Sequence, residues 1–351
     1  MDTCPITARS LQKPYHIDGD NFERAYKEFL SGYRTWKELS HAAKWLVFWK
    51  NIGPNLSIDE TSLSDGELYT IVSNKDAHGR KGAIVAIVQG TKVEDVVTAL
   101  QKILWWERAK VLEVTMDFSE SMHSIVKQCF PYATITIDRF HVQKDCLEAV
   151  QQIRIKHRRE AQRADVEARE QHRLRNKANA ERRKKGKKDP RGRKPNRRNE
   201  KYEPPRLENG DTVCELLSRC RYLLMVSANR WTDSQKQRAK LLFEKFPDMK
   251  TAYSLAHSLR AIFSNPSATR ETGKLSLKAW YRKVTEFDDE NFNTVSATIY
   301  EREDEILNYF IRRSTNASAE SLNAKIKKFR AQLHGVVDVN FFLFRLSNIY
   351  A

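Results

Sequence analysis

The sequence predicts an α/β fold in which a mixed β-sheet flanked by helices is joined to a large all-α insertion. Between residues 56 and 138, segments rich in Ile, Val, Leu and Thr alternate with turn signals and amphipathic stretches. A long helix is predicted after Val142, and the pattern over 211–312 is helical throughout. With 351 residues, the chain is long enough for both parts.

The predicted sheet begins with three strands, over 56–63, 67–74 and 82–90. The segments "SDGE" and "AHGRKG" mark tight turns between them, so these strands should form an antiparallel meander. The helix "KVEDVVTALQKIL", a strand over 111–117, the helix "SESMHSIVKQCF" and a strand over 133–138 follow. This order predicts an antiparallel half of the sheet followed by a parallel half with crossover helices.

Residues 1–55 form the first predicted domain, an N-terminal helical segment. Both "DNFERAYKEFL" (Asp20, Glu23) and "TWKELSHAAKWLVFWK" (Thr35, Glu38) carry the spacing of a capping box. Two adjacent helices leave a helix-turn-helix open as an alternative, although the basic residues do not gather on the second one. Four aromatic side chains are predicted to pack onto a core: Trp36, Trp45, Phe48 and Trp49.

Positive charge is concentrated in one part of the chain. The net charge is +17, and 20 basic against 6 acidic residues between Arg154 and Arg198 account for +14 of it. Residues 183–200 hold almost no apolar side chain and are predicted to form a disordered basic loop. A solvated linker is the plain alternative, but a block of this size favours contact with the DNA backbone. The residues predicted to make that contact are Arg182, Arg183, Lys184, Lys185, Lys187 and Lys188.

The cysteines and the hydropathy exclude other classes of protein. The five cysteines are odd in number and form no C-x-x-C pair, which argues against a structural zinc site or a disulfide framework. No stretch of 18 apolar residues occurs. We therefore expect a soluble protein of the cytoplasm.

Three carboxylates stand at strand or helix ends. Asp59 lies within the first strand in "SIDET", Asp117 ends the fourth strand, and Glu320 opens the late helix "STNASAESLNAKIKKFRAQLHG". The first and fourth strands should be neighbours in this sheet, so Asp59 and Asp117 should lie side by side. Asp117 could instead cap the following helix, and Glu320 could interact with a helix dipole. Asp59 has the weakest alternative, because a carboxylate inside an apolar strand is costly to bury without a partner.

Paired carboxylates indicate a divalent cation. Like charges held together raise one pKa unless a cation joins them. Two ions about 3.5–4 Å apart would resolve that conflict and support phosphoryl transfer. Oxygen ligands suit Mg²⁺ or Mn²⁺ rather than zinc.

Four segments together resemble the DDE transposases of bacterial insertion sequences: "SIDET", "VTMDFSESM", "CFPYATITIDRFHVQK" and "TNASAESLNAKIKKFRAQLHG". The resemblance runs from about Asn51 to Tyr350. It implies an RNase H-like core with a helical insertion before the final Glu, and metal-dependent cleavage and transfer of DNA strands. It also implies that Asp59, Asp117 and Glu320 hold two divalent ions, Mg²⁺ or Mn²⁺.

The resemblance also implies the bounds of the remaining domains and the partners of the chain. Residues 56–150 would be the first part of the core, 151–206 the basic helix and loop, 207–313 the all-α insertion, and 314–351 the core helix with the third acid. The partners implied are the DNA of element ends and target, and further copies of the chain on that DNA. Related transposases often carry an N-terminal zinc-binding and helix-turn-helix region, and this chain has no such cysteine pattern. Two alternatives follow: a separate polypeptide recognises the element ends, or the open reading frame is a fragment.

The opening of the helix after the last strand carries Asp138 and His141, which match a D-x-x-H element of several DDE transposase groups. We interpret them as supporting residues that orient the metal ligands or touch the cleaved region, and not as ligands. A helix cap and a packed histidine are the structural alternatives.

The late helix should also contact DNA. Its cations Lys325, Lys327, Lys328 and Arg330 are predicted to contact phosphates near the cleaved bond, the alternative being a solvated helix end. On a helical wheel, Glu320 lies away from an apolar stripe formed by Leu322, Ile326 and Phe329. That stripe is expected to pack on the insertion or on the C-terminal segment, while Glu320 faces the sheet.

Two other functions share this fold. One is a DNA nuclease without strand transfer, which would produce nicks but no joined products. The other is a transposase-derived DNA-binding protein that has lost catalysis, whose function would survive replacement of Asp117 by Asn.

Overall fold

A computed structural model describes residues 1–64, 66–185 and 201–351, with the backbone alone at 64 and 182–185. These residues form two compact units. The first, called here the sheet unit, comprises Met1–Val142, Ser267–Lys274 and Arg302–Ala351. The second, the helical unit, comprises Gln143–Pro266 and Leu275–Glu301.

One six-stranded sheet lies in the sheet unit, with strands β1 (Trp45–Val47), β2 (Asn55–Ser64), β3 (Glu67–Asn74), β4 (Ile84–Gln89), β5 (Glu113–Met116) and β6 (Thr134–Ile137). The strand order is β1-β4-β3-β2-β5-β6. The pairs from β1 to β2 are antiparallel, whereas β2–β5 and β5–β6 are parallel. The predicted α/β, RNase H-like mixed sheet is therefore confirmed, with one additional edge strand.

The α-helices among the described residues are α1 (Gln12–Tyr15), α2 (Gly19–Ala25), α3 (Val93–Leu100), α4 (Trp105–Arg108), α5 (Glu120–Cys129), α6 (Arg139–Lys185), α7 (Val213–Arg219), α8 (Asp233–Lys245), α9 (Pro247–Ser264), α10 (Arg270–Phe287), α11 (Glu290–Glu301), α12 (Glu303–Leu307), α13 (Tyr309–Arg312), α14 (Ala317–Gln332) and α15 (Val339–Tyr350). Single turns of 3₁₀-helix occur at Arg9–Leu11, Tyr33–Thr35, Trp49–Asn51, Lys75–Ala77, Leu223–Met225 and Ala228–Arg230, and a π-helical turn at Tyr26–Leu30. In the described part of the chain, no helix is long and apolar enough to cross a membrane.

The N-terminal prediction is only half right. A helix does form over Gly19–Ala25, but its N-cap is Asp18, which accepts the amides of residues 20 and 21. No helix forms over 35–50, and the edge strand β1 lies there instead. The reason is that Leu46 is fully buried when this segment pairs with β4. A helix-turn-helix that needs a second helix at 35–50 is therefore excluded.

The aromatic residues of this segment divide between core and surface. Trp45 packs against one hydrophobic cluster, and Trp36 and Phe48 pack against another. Trp49 does not join a core, because about half of its surface is exposed, at 49%.

The two faces of the sheet have different partners. On one face, Leu56, Ile58, Val114 and Met116 pack with side chains of α3 and α5. On the other face, β3 and β4 contribute apolar side chains that pack with α14 and α15. That second face turns polar over β2, β5 and β6, and this change creates the room for a site.

The helical unit has its own small core. The Trp280 indole is buried and donates to the Leu255 carbonyl at 3.0 Å. Capping boxes at Thr212 and Thr232 begin two of its helices. Asp211 is buried and pairs with Arg219 and Arg238.

The basic segment is described only in part. Helix α6 continues to Lys185, so the predicted start of a loop at residue 183 is too early. Of the cations predicted to contact DNA here, Arg182, Arg183, Lys184 and Lys185 lie in this helix with backbone alone described. Lys187 and Lys188 lie outside the described residues.

Candidate active site

Three adjacent strands place alternate polar side chains on one face of the sheet. Ser57 and Asp59 alternate along β2, and Glu113 and Thr115 alternate along β5. Ser57 pairs with Thr115, which in turn pairs with Thr136 on β6. Because side chains alternate across a strand with period two, this register stacks the polar residues beside one another.

Asp59 is held from two sides. One carboxylate oxygen accepts the Glu60 amide at 2.8 Å, and the other accepts the Asn323 side-chain amide at 2.6 Å. Burial raises the pKa of Asp59, and the negative charge of Asp117 adds to this effect. The two hydrogen bonds and His141 act in the opposite direction without cancelling it. Asp59 therefore lies in a region of excess negative charge.

Asp117 directly follows β5, next to β2, as the predicted strand order requires. One of its carboxylate oxygens accepts the Ser119 amide at 2.8 Å. The N-cap of α5 is Ser119, whose hydroxyl accepts the Met122 amide at 3.4 Å. The alternative in which Asp117 caps the helix is thus not what the structure has, although Asp117 does stabilise the turn that leads into it.

Glu320 lies in the first turn of α14 and is exposed. Partial burial raises its pKa, as do the charges of Asp138 and Asp59, while His141 acts in the opposite direction. The carboxylates of β2, of the end of β6 and of α14 therefore act on one another electrostatically.

The apolar stripe of α14 positions Glu320. Leu322, Ile326 and Phe329 are buried against side chains of β3, β4 and α15. The C-terminal segment is therefore a partner, as one of the two alternatives predicted, and the β3–β4 half of the sheet is a further partner. The sheet takes this role because its β3–β4 half is apolar on the face that α14 covers.

Asp138, His141 and Glu320 form the tightest group. Each offers a ligand atom, and these three atoms lie within 4.8 Å of one another. Asp138 is buried, at 1% exposure, and burial raises its pKa. Its carboxylate accepts the backbone amides of Phe140, at 3.3 Å, and of Asn316. It therefore caps the start of α6 and contacts the residue that precedes α14.

His141 is only partly buried, so the packed-histidine alternative fits poorly. Its ring meets Phe140 edge-on at 5.8 Å, and it influences the pKa of Asp59, Asp138 and Glu320. This places the imidazole among the carboxylates. The five predicted residues Asp59, Asp117, Asp138, His141 and Glu320 thus lie in one region of the sheet unit.

Sequence reasoning missed a second layer of polar residues beneath these acids. Glu113 is buried and accepts the hydroxyls of Thr136 at 2.8 Å and Ser314 at 2.6 Å. Lys75 donates to the Thr115 hydroxyl at 2.7 Å and lies 3.9 Å from Glu113. The signal was available, because "EVTMD" and "TITID" carry polar residues at every second position of a strand.

Asn316 and Asn323 were also missed. Asn316 is buried just before α14 and accepts a hydrogen bond from the Ser57 hydroxyl. Asn323 lies one turn after Glu320 and donates to Asp59. Both tie the helix that carries Glu320 to the strand that carries Asp59.

The cations of α14 are divided in their roles. Lys325 donates to the Gly79 carbonyl at 2.7 Å, and Arg330 donates to the Ser62 carbonyl at 3.3 Å. Lys327 and Lys328 are exposed. Lys327 and Lys328 are thus available to bind a polyanion, whereas Lys325 and Arg330 hold α14 in place through hydrogen bonds to backbone carbonyls.

The chemistry of this group of side chains suits a divalent cation. Burial raises the pKa of Asp59, Asp138 and Glu320, and neighbouring carboxylates add to this for Asp59 and Glu320, so a cation beside these groups would relieve an electrostatic cost. Carboxylate oxygens are the ligands that Mg²⁺ and Mn²⁺ prefer, and an imidazole is compatible with Mn²⁺. The residues present therefore fit the cation that the predicted chemistry requires.

Comparison with known proteins agrees with this geometry. A family model for DDE transposases of the ISL3 group, described as "Transposase", matches residues 56–346. No curated protein and no solved structure matches the chain significantly. The matched segment contains all five candidate residues and most of the chain. The chain belongs to the ISL3 family of DDE transposases.

Proposed function

We propose that this transposase cleaves DNA at the ends of a mobile element and transfers the freed strands to target DNA, using divalent ions held by Asp59, Asp117 and Glu320. The observation that carries the proposal is the convergence of these acids with Asp138 and His141 on the polar part of one sheet face. The raised pKa values of Asp59 and Glu320 support it, because a nearby cation would stabilise the ionised forms of these carboxylates.

The reaction consists of two phosphoryl transfers. First, water attacks the phosphodiester at the element end, and the bond between phosphorus and the 3′ oxygen breaks, which frees a 3′-hydroxyl. That hydroxyl then attacks a phosphodiester of the target, and a target 3′ oxygen leaves. Two bound Mg²⁺ or Mn²⁺ ions would activate the attacking oxygen and stabilise the leaving one.

The residues of the chain hold and orient these groups. Asp59 would bind from within β2, Asp117 from the end of the adjacent strand β5, and Glu320 from α14. The Asn323 amide fixes the rotamer of Asp59, as an outer partner of a metal ligand commonly does. Asp138 fixes the start of α14 through Asn316, and so positions Glu320.

Two roles fit Asp138 and His141. The sequence suggested supporting residues that are not ligands. Their distance from Glu320, within 4.8 Å between ligand atoms, also allows them to share an ion with it. In either version they neighbour the cleaved phosphate, and replacing them should reduce the rate of cleavage.

The partners follow from the family. We propose that the chain binds the DNA of both element ends and of the target, that it acts as a homo-oligomer on paired ends, and that a separate polypeptide contributes to end recognition. Association with the nucleoid would follow from the DNA binding.

The test uses purified chain, labelled DNA with the two element ends and a supercoiled plasmid target, with Mg²⁺, Mn²⁺ or EDTA. Asp117→Asn is compared with Asp95→Asn, which changes an exposed aspartate of α3. We expect nicks at the element boundary and joined products, lost in EDTA and in Asp117→Asn but kept in Asp95→Asn. Nicks without joined products would favour a nuclease. DNA binding without cleavage, even after the neighbouring gene's product is added, would favour a protein that has lost catalysis.

A further inference from the structure

A cavity of about 530 Å³ lies in the sheet unit, apart from the acids. It is lined by Thr3 and Pro5 of the N-terminal segment and by residues of the turn after β3, of α14 and of the end of α15. Four cations contribute to its walls: Arg80, Lys81, Lys325 and Lys328. Its floor is apolar and includes the fully buried Phe329. Only two of these cations, Lys325 and Lys328, stood out in the sequence.

The walls of this basic cavity are held in place by two lysine side chains. Lys325 donates to the Gly79 carbonyl at 2.7 Å, and Lys81 donates to the Asn348 carbonyl at 2.7 Å. Gly79 has φ +66°, and a Cβ there would lie 3.2 Å from the Lys325 ammonium. The glycine therefore permits both the left-handed turn and the close approach to α14.

The four cations of the basic cavity form no ion pair with a carboxylate in the described part of the chain, and Arg80 and Lys328 are exposed. Like charges held around one cavity repel one another, and an anion placed between them removes that cost. A phosphate group, with its negative charge and acceptor oxygens, is suited to such a cavity.

The position of the basic cavity relative to Glu320 suggests which phosphate it takes. Lys328 follows Glu320 by eight residues on α14, which is about 12 Å along the helix axis. Along one strand of duplex DNA, phosphates recur about every 3.4 Å of axis. A duplex lying along α14 with its cleaved bond at Glu320 would therefore present its third or fourth phosphate to the basic cavity.

We propose that the basic cavity binds the DNA backbone three to four nucleotides from the cleaved bond and so sets the register of the strand in the active site. This inference rests on the proposed function for the identity of the ligand as DNA. It assigns a binding role to Arg80 and Lys81, which lie far from α14 in the sequence.

The test measures the salt dependence of binding, without metal, to a labelled 20-base-pair duplex of arbitrary sequence. Each phosphate contact contributes about 0.9 to the slope of log Kobs against log salt concentration. We expect the double variant Arg80→Ala, Lys328→Ala to reduce that slope by about 1.8. The control Lys92→Ala, Lys127→Ala removes two exposed lysines of the same unit and should leave the slope nearly unchanged. Matching thermal unfolding curves would confirm that all variants are folded.

A second arm fixes the position. Single methylphosphonates, which neutralise one phosphate each, are walked along the element-end duplex. In the native chain, the third or fourth position from the cleaved bond should weaken binding most, and in the double variant that position should matter no more than its neighbours. An unchanged slope in the double variant, an equal decrease in the control, or a methylphosphonate effect that survives in the double variant overturns the proposal.

The inference and the proposed function fail separately. A native chain that cleaves DNA, combined with an unchanged slope in the double variant, would remove the inference and leave the function. A chain that shows the expected slopes but never cleaves would keep the contact between the basic cavity and the DNA backbone and remove the function.

Discussion

The buried pair of Lys75 and Glu113 beneath the acids offers the sharpest test of how this site is supported. Their side chains are 13% and 4% exposed, and the charged atoms lie 3.9 Å apart. Burial lowers the pKa of Lys75, while Glu113 acts in the opposite direction. Glu113 also accepts the hydroxyls of Thr136 and Ser314, and Ser314 lies just before α14. The pair thus links two strands to the segment that leads to Glu320.

Replacing Glu113 by Gln keeps the shape and removes the charge. The hydroxyls of Thr136 and Ser314 then meet a neutral amide oxygen or find no acceptor. Each of these two losses costs about 1 kcal/mol. Lys75 also loses its counter-charge, so we expect a total cost of about 3 kcal/mol, at the lower end of the range for breaking a buried pair. Lys75→Met should be costly too, because it leaves the Glu113 charge buried without its cation.

The double variant isolates the interaction of the pair. Glu113→Gln with Lys75→Met should be less destabilised than the sum of the single variants by about 1–2 kcal/mol. The assay is urea unfolding followed by hydrogen exchange in peptides from β5 and β6. As a control, Glu107→Gln removes the partner of exposed Lys110 and should cost at most about 1 kcal/mol. Strict additivity, or a cost for Glu113→Gln no larger than that of the control, would refute the reasoning.

Three further changes test other parts of the sheet unit. Burial raises the pKa of Asp338, but the hydrogen bond and charge of Lys27, together with the backbone amides of Phe341 and Asn340, outweigh this and hold the pKa below its usual value. Asp338→Asn should therefore lower the free energy of unfolding by about 0.5–1 kcal/mol near pH 7. In urea titrations this difference should vanish as pH falls through the lowered pKa of Asp338, and a difference that stays constant with pH would contradict the prediction. Asn323→Ala frees the carboxylate of Asp59 and should weaken Mn²⁺ binding 10- to 100-fold by calorimetry, whereas unchanged affinity would remove the orienting role. Phe329→Ala opens a cavity under α14 and should cost about 3–5 kcal/mol in urea unfolding, and a loss under about 1 kcal/mol would show that this packing is not needed.

Much of the sheet could be predicted because its signals are local. Runs of β-forming residues between turn signals predicted the strands, and the alternation of strands with helices predicted the parallel half. The positions of Asp59 and Asp117 followed from the strand order alone. The pairing of β2 with β5 confirms that part of the prediction.

Other features depend on partners that are distant in sequence. Strand β1 has only three residues, and it forms because the edge of β4 is available to it. The apolar stripe of α14 could not indicate its own partner, and its packing on the sheet depends on which half of the sheet face is apolar. Lys75 carries no local signal, since its role appears only when the fold brings it to Glu113 and Thr115.

The most direct test of the central claim, that these acids form a divalent-cation site, compares the thermal unfolding of the native chain and Asp117→Asn with EDTA and with Mg²⁺ or Mn²⁺. Asn keeps an acceptor for the Ser119 amide, so α5 should begin unchanged. In EDTA the variant should be at least as stable as the native chain, because one repelling charge beside Asp59 is gone. With metal at about 100 times its Kd, the native chain should gain about 2.7 kcal/mol and the variant much less, so the order of stability reverses. Equal metal responses in the two proteins, or no response in the native chain, would contradict the account.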